Sequence, residues 1–307
     1  MEISRSACVV GAGMIGRHHA SSLLASGFSV TVVDPINPNI PDIEWFDNLD
    51  REIISQNEVF IISTTAQYHF EIVRSISRSQ IAKIIIIEKP LFCNQSEYLE
   101  FDSDVATSEH KILCNVPYFY HDKLRKLNNS SNLGLVENYS VYGANWGMAC
   151  NILHDISIID VLAHADSIEL SKLSSEISSV KQSKRLGYLE VFGSVQFLLN
   201  NIPVNLVCNA DGQVQKVIEI EFERGSVKID LFSESMTTSL YNSEAKSDQF
   251  VTARASNTTG IVVQQLIDGN NVLPEASRYS SVSLEIYRSL TKSLDLSSRN
   301  FLDFPFS

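Results

Sequence analysis

The chain has 307 residues, 44% of them hydrophobic and 20% charged, a composition that suits a folded protein and excludes disorder as its main character. Its formal net charge of -12 excludes a basic stripe able to release counterions, so neither a nucleic acid nor an anionic membrane is expected as partner. No apolar run approaches the roughly 18 residues of a membrane span, and the N-terminus lacks the cationic and apolar segments of a signal peptide, so a cytoplasmic protein is expected. Five cysteines, Cys8, Cys93, Cys114, Cys150 and Cys208, are scattered without CxxC spacing, and no metal site or disulfide framework is expected.

Through the first 120 residues, short Val- and Ile-rich runs alternate with helix-like segments. The runs "SACVVGAG", "FSVTVVDP", "EVFIISTT", "AKIIIIEKP" and "HKILCNVPY" lack period-2 alternation, as strands buried on both faces do. Between them lie "MIGRHHASSLLASG", with Gly27 as its C-terminal stop, and "QYHFEIVRSISRSQ". Strand and helix in alternation predict a doubly wound α/β domain over residues 1–120 with a parallel sheet.

Beyond residue 120 the pattern changes. "ENYSVYGANWG", "LEVFGSVQFLL", "PVNLVCNA", "QKVIEIEFERG" and "SVKIDLF" read as consecutive strands with turn residues between them, which predicts an α+β domain over residues 121–307 with a mainly antiparallel sheet. The helix "CNILHDISIIDVLAHA" interrupts the strands, and "ASRYSSVSLEIYRSLTKSLDL" closes the chain with the option of packing back on the first domain. Ser171 to Arg185 reads as a loop or a sheet edge.

The first strand runs into "VVGAGMIGRHHA", where Gly11, Gly13 and Gly16 have the G-x-G-x-x-G spacing between a strand and a helix. The first glycine permits the tight turn, the second a close backbone approach to a pyrophosphate, and the third close helix–strand packing. Met14 and Ile15, between the second and third glycines, count with them as cofactor contacts. The second strand ends at Asp34, 18 residues beyond Gly16, where a carboxylate can accept both ribose hydroxyls of an adenosine and repel a 2'-phosphate. No Arg or Lys follows in "DPINPN", so NAD is favoured over NADP.

Ligands of open parallel sheets bind beyond the carboxyl ends of the strands. Thr64, Thr65 and His69 follow one such end and Glu88, Lys89 and Pro90 another; on pattern alone Lys89 is equally a solvated surface charge. The set "VVGAGMIGRHHA", "STTAQYH" and "EKP", followed by a mainly β second half, resembles the Gfo/Idh/MocA family of NAD(P)-dependent oxidoreductases. That resemblance implies hydride transfer to or from a carbinol carbon of a sugar, nucleotide-linked sugar or cyclitol. It places Lys89 by nicotinamide and substrate; Thr64, Thr65 and Glu88, at the same strand ends, are expected as cofactor contacts, and His69 is expected to contact the cofactor or to pack. The family's helix signature, approximately D-x-x-x-H-x-x-D, aligns on His154 as catalytic acid–base partner, with Cys150 and Ser157 where acids are expected. Either Asp155 or Asn151 then compensates from an adjacent face, or the chemistry is altered or lost; without the resemblance His154 reads as an ordinary hydrogen-bonded helix histidine. Asn115 and Tyr118 are further candidate substrate contacts, with Cys150, Asn151 and Asp155, aromatic packing between domains being an equal alternative for Tyr118, while His18 and His19 read as structural. The resemblance also implies a homodimer or homotetramer, and a protein of the same fold that binds cofactor as a sensor or scaffold is the alternative function.

Overall fold

The computed structural model describes residues 5–105, 108–128, 132–163, 166–241, 243–251, 255–292, 294 and 303–306. The chain divides into two compact units, Met1–Pro117 with Ala253–Ser280, and Tyr118–Thr252 with Ser281–Ser307.

The first unit is built on a six-stranded parallel sheet. Its elements run β1 (Ser6–Val10), α1 (Met14–Ala25), β2 (Ser29–Val33), β3 (Glu44–Phe46), α2 (Arg51–Gln56), β4 (Val59–Ile62), α3 (His69–Ser77), β5 (Ile84–Ile87), α4 (Gln95–Glu100) and β6 (Lys111–Cys114). The strand order β3-β2-β1-β4-β5-β6 reverses direction between β1 and β4. A parallel sheet of this order carries its crossover helices on both faces, which suits the unbroken apolar residues of β4 and β5 and of β1 after Ser6. Ile85, Ile86 and Ile87 of β5 each pair with both neighbouring strands and are buried.

Helix α1 ends as the sequence indicates. Gly27 takes φ +82° and donates its N–H to Leu24 O at 2.9 Å, while Phe28 N–H reaches Leu23 O at 3.1 Å. Those two bonds close a Schellman motif, and buried Phe28 and Leu23 provide its apolar contact.

The second unit carries α5 (Asp122–Asn128), β7 (Val136–Ala144), α6 (Met148–Ala163), β8 (Leu170–Gln182), β9 (Leu189–Leu199), β10 (Ile202–Cys208), β11 (Gln215–Phe222), β12 (Gly225–Asp230), β13 (Ser235–Leu240) and β14 (Lys246–Gln249). Its eight-stranded sheet has the order β14-β13-β12-β11-β7-β10-β9-β8 and is antiparallel except where β10 runs parallel to β7. Helix α6 packs against β7, β9 and β10. Burial alternates along β10 and β12, so the sheet has one covered and one open face. The Ser-rich segment after residue 170 is the edge strand β8.

Two last helices, α7 (Ala255–Ile267) and α8 (Ala276–Lys292), follow. A helix at α7 is not apparent in the sequence because "ASNTTG" is poor in helix formers. Packing on α1 supplies what propensity lacks: a Cβ on Gly260 would fall 2.1 Å from Ser26 Oγ and 2.4 Å from Ser22 O, so only glycine allows that approach. The strands β3, β13 and β14 also go unseen in the sequence, being short or polar edge pieces that their neighbours complete.

Candidate functional site

The glycine loop links β1 to α1. Gly11 takes φ +96°, and a Cβ there would lie 2.7 Å from Thr64 N, so both conformation and the nearness of the segment after β4 require glycine. A Cβ on Gly16 would stand 1.8 Å from Gly11 O, the close helix–strand contact expected of the third glycine. Gly13 differs. It caps α1 with φ -61°, which any residue adopts, and a Cβ there would meet nothing within 4 Å. Neither backbone strain nor internal packing explains Gly13; open space in front of the helix does. Helix α1 has no side-chain N-cap bond and no acid in its first turn, so its positive end, with Met14 and Ile15 in that turn, faces the space with its amides.

Asp34, just past β2, accepts from Ala12 N at 2.7 Å through Oδ2 and from Ile36 N at 2.9 Å through Oδ1. It thereby fixes the glycine loop, and with about four acceptor positions on a carboxylate it retains capacity for hydroxyl donors. A cavity of about 390 Å³ lined by Asn37, Pro38, Asn39, Ile40, Ile43 and Trp45 lies beside it. Trp45 donates Nε1–H to Asp34 O at 2.8 Å, and Arg17 donates Nη1–H to Pro38 O at 2.7 Å.

The carboxyl ends of β4, β5 and β6 gather the other candidate site residues of this unit. Ser63 Oγ donates to Gly11 O at 2.8 Å, and Thr64 Oγ1 to Thr65 O at 3.3 Å. His69 is buried, with Nδ1 3.0 Å from Leu91 O and Nε2 3.1 Å from Thr64 O, so its ring ties the segment after β4 to the segment after β5. Burial holds its pKa below the ordinary value against the pull of the two carbonyls. Lys89 is half-buried and precedes Pro90 through a cis peptide. Glu88 turns inward, where its Oε1 accepts from Asn115 Nδ2 at 2.6 Å and from His19 Nε2 at 3.0 Å. Asn115 and Glu88, assigned separately to substrate and cofactor on sequence, are therefore bonded to each other. His19, fully buried, belongs to the same cluster; its signal in the sequence is its place one turn after Gly16 on the buried face of α1.

In the second unit, His154 lies on α6 with Tyr118 edge-on to its ring at 5.6 Å between centroids, and Tyr118 stacks on Phe250 at 6.4 Å. Cys150, partly exposed, is one turn earlier on α6. Ser157 donates its hydroxyl to the backbone carbonyl of His154 at 2.7 Å and so acts on the helix rather than on the ring. Asp155 does not stand in for the missing acid. Its carboxylate takes Lys216 Nζ at 2.8 Å and Tyr139 O–H at 3.0 Å, because the residue after His154 is turned about 100° around the helix. Burial pushes the Asp155 carboxyl up, with Lys216 opposing. Lys216 also lies over the Trp146 ring at 4.5 Å, making a buried cluster of one acid, one cation and two aromatics. Asn151 donates Nδ2–H to Trp146 O at 2.7 Å.

Strand order, the glycine loop and the acid past β2 define a dinucleotide-binding domain of the Rossmann class. Residues 5–115 match the sequence model of GFO_IDH_MocA, an oxidoreductase family with an NAD-binding Rossmann fold. A search of curated proteins finds no match. Among solved structures, UDP-N-acetylglucosamine 3-dehydrogenase GnnA from Acidithiobacillus ferrooxidans is similar with a TM-score of 0.76 at 13% identity, covering 94% of this chain and 99% of that one. Levoglucosan dehydrogenase in complex with NADH and L-sorbose is similar with a TM-score of 0.72 at 14% identity, covering 94% and 97%. A super-repressor mutant of Gal80p from Saccharomyces cerevisiae is similar with a TM-score of 0.70 at 12% identity, covering 94% and 96%. At these identities the likeness is one of fold. Among the described residues no helix is long and apolar enough to cross a membrane.

Proposed function

We propose that the chain is an NAD(H)-dependent oxidoreductase acting on a carbinol or carbonyl carbon of a sugar, nucleotide-linked sugar or cyclitol. The observation that carries the reading is Gly13, a glycine that neither its backbone angles nor its neighbours require, at the open end of α1. A diphosphate fits that place, since uncapped amides and the helix dipole both favour an anion. The Asp34 carboxylate suits ribose hydroxyls and opposes a 2'-phosphate, and the cavity beside Trp45 suits the adenine. NAD is accordingly the proposed cofactor over NADP, one structural relative being described as NADPH-dependent.

Bound nicotinamide supplies a hydride acceptor or donor. In this proposal Lys89, a half-buried cation past an apolar strand, stabilises the negative charge that develops on the substrate oxygen. His154 accepts the hydroxyl proton on oxidation and returns it on reduction, Tyr118 supporting its ring edge-on. Glu88 and Asn115 act behind Lys89, Thr64 and Thr65 line the cofactor side, and Cys150 and Asn151 border His154 on α6. Self-association through the open face of the eight-stranded sheet, giving a dimer or tetramer, belongs to the same reading.

A second reading has support of its own. Cys150 and Ser157 stand where the family places acids, and Asp155 is committed to Lys216 and Tyr139. A cofactor-binding sensor or scaffold of this fold accounts for that, and one protein of similar fold is described as a super-repressor mutant. The experiment that separates the two is a titration with NADH and NADPH followed by turnover assays over sugars, nucleotide sugars and cyclitols. Saturable NADH binding with turnover supports the enzyme; NADH binding with none across the panel supports the sensor; no binding of either nucleotide defeats both.

A further inference from the structure

Glu88 precedes Lys89 directly, and its carboxylate points away from the sheet's ligand edge into the fold. There it meets His19 of α1 and Asn115 after β6. His19 continues the chain, since its Nδ1 lies 2.6 Å from Thr259 Oγ1 on α7. The Thr259 hydroxyl in turn lies 3.2 Å from Ser256 O. With Glu88 ionised, Nε2–H is the donor to it, which in a neutral ring leaves Nδ1 to accept from the Thr259 hydroxyl. The groups around the carboxylate are shut off from water, His19 being 0% exposed, Thr259 4% and Asn115 6%, while the Glu88 side chain itself keeps 15% exposure.

Burial by itself would push the Glu88 carboxyl up. The hydrogen bond and charge of His19, the charge of Lys89 and the bond from Asn115 outweigh it, and the group lies below the ordinary carboxylate range. A carboxylate held among buried donors needs them, and removing one leaves an under-solvated charge next to Lys89, whose charge already acts on it. The nearest relief is for that carboxylate to swing toward Lys89.

We propose that His19 is a positioning residue for Lys89: backed by Thr259, it holds the Glu88 carboxylate inside the fold so that the lysine's charge stays directed at the ligand edge of the sheet. The role rests on the reading of Lys89 as a residue that acts beside the nicotinamide. It extends the site to α7, which no motif in the sequence connects with the cofactor.

The test uses the full chain with its lysines reductively methylated with ¹³C, the Lys89 resonance being assigned by its loss in Lys89→Arg. In His19→Phe, which keeps ring shape and removes both nitrogens, that resonance shifts, while the NADH dissociation constant stays within about threefold of the starting protein. His19→Gln, whose amide can still donate to Glu88, returns it to its original position. Where a substrate has been found, kcat in His19→Phe falls by about 10- to 100-fold with KM for NADH little changed, the size expected of a misplaced catalytic group. A Lys89 resonance unmoved in folded His19→Phe overturns the proposal. Should that variant not fold, Thr259→Val decides: a shifted Lys89 resonance supports the role, and an unshifted one in a destabilised protein reduces His19 and Thr259 to structure. The resonance needs no turnover, so absence of NADH binding in the unaltered protein counts against the proposed function alone.

Discussion

The ligand edge of the parallel sheet and helix α6 each gather polar side chains, but they satisfy them in opposite ways. At the sheet edge the bonds run between elements that are distant in sequence: Ser63 to Gly11, Ala12 to Asp34, His69 to Leu91, His19 and Asn115 to Glu88. Each ties one loop to another, so together they shape a surface. On α6 the strongest polar contacts point into the second unit's own core, Asp155 to Lys216 and Tyr139, with Ser157 returned to its helix backbone. The difference shows that an acid in the right stretch of sequence is not an acid in the right place. One position around a helix separates a group able to tune His154 from one buried with a lysine.

Breaking each region should therefore give different symptoms. The largest effect is expected from Lys89→Met, which removes the cation at the sheet edge: turnover of the identified substrate should fall by roughly 10²- to 10⁴-fold with NADH affinity retained, read by steady-state kinetics beside a binding titration. Turnover unchanged would remove Lys89 from the chemistry. On α6 the corresponding damage is to folding. Asp155→Leu strands the buried Lys216 ammonium and should cost about 3–5 kcal/mol in urea unfolding. A loss below about 1 kcal/mol would mean that the pair contributes little.

Smaller changes sharpen the contrast. Asp34→Asn weakens the charge that opposes a 2'-phosphate, and the ratio of NADH to NADPH affinity should drop about tenfold, measured by calorimetry at fixed ionic strength. An unaltered ratio would place cofactor choice elsewhere. Ser157→Ala deletes a hydroxyl bonded only locally, and its stability should stay within about 1 kcal/mol of the parent, with the pH profile of turnover unmoved. A displaced profile would show Ser157 acting on the His154 ring after all.

Much of the first unit was legible because its signals are local. Unbroken apolar strands, three glycines at fixed spacing and an acid at a strand end are each imposed by what lies within a few residues, and the doubly wound sheet follows from them. The rest depends on distant partners. Helix α7 is held by the approach of Gly260 to α1, and β3, β13 and β14 exist because a neighbouring strand completes them. The same limit applies to the polar residues: the inward turn of Glu88 toward His19 and the pairing of Asp155 with Lys216 join positions 69 and 61 residues apart, which no spacing rule reaches.

The central claim is that the space before α1 belongs to a dinucleotide, and Gly13 isolates it. Unlike Gly16, where a Cβ would strike Gly11 O, Gly13 can accept a Cβ that meets no atom within 4 Å. Titrating NADH into Gly13→Val beside the unaltered chain, with melting temperatures recorded for both, tests the claim directly. The predicted result is an unchanged melting temperature with NADH affinity reduced by about 100-fold or more, as a side chain displaces the diphosphate from the amides that hold it. Undiminished NADH binding in a folded Gly13→Val protein would contradict it.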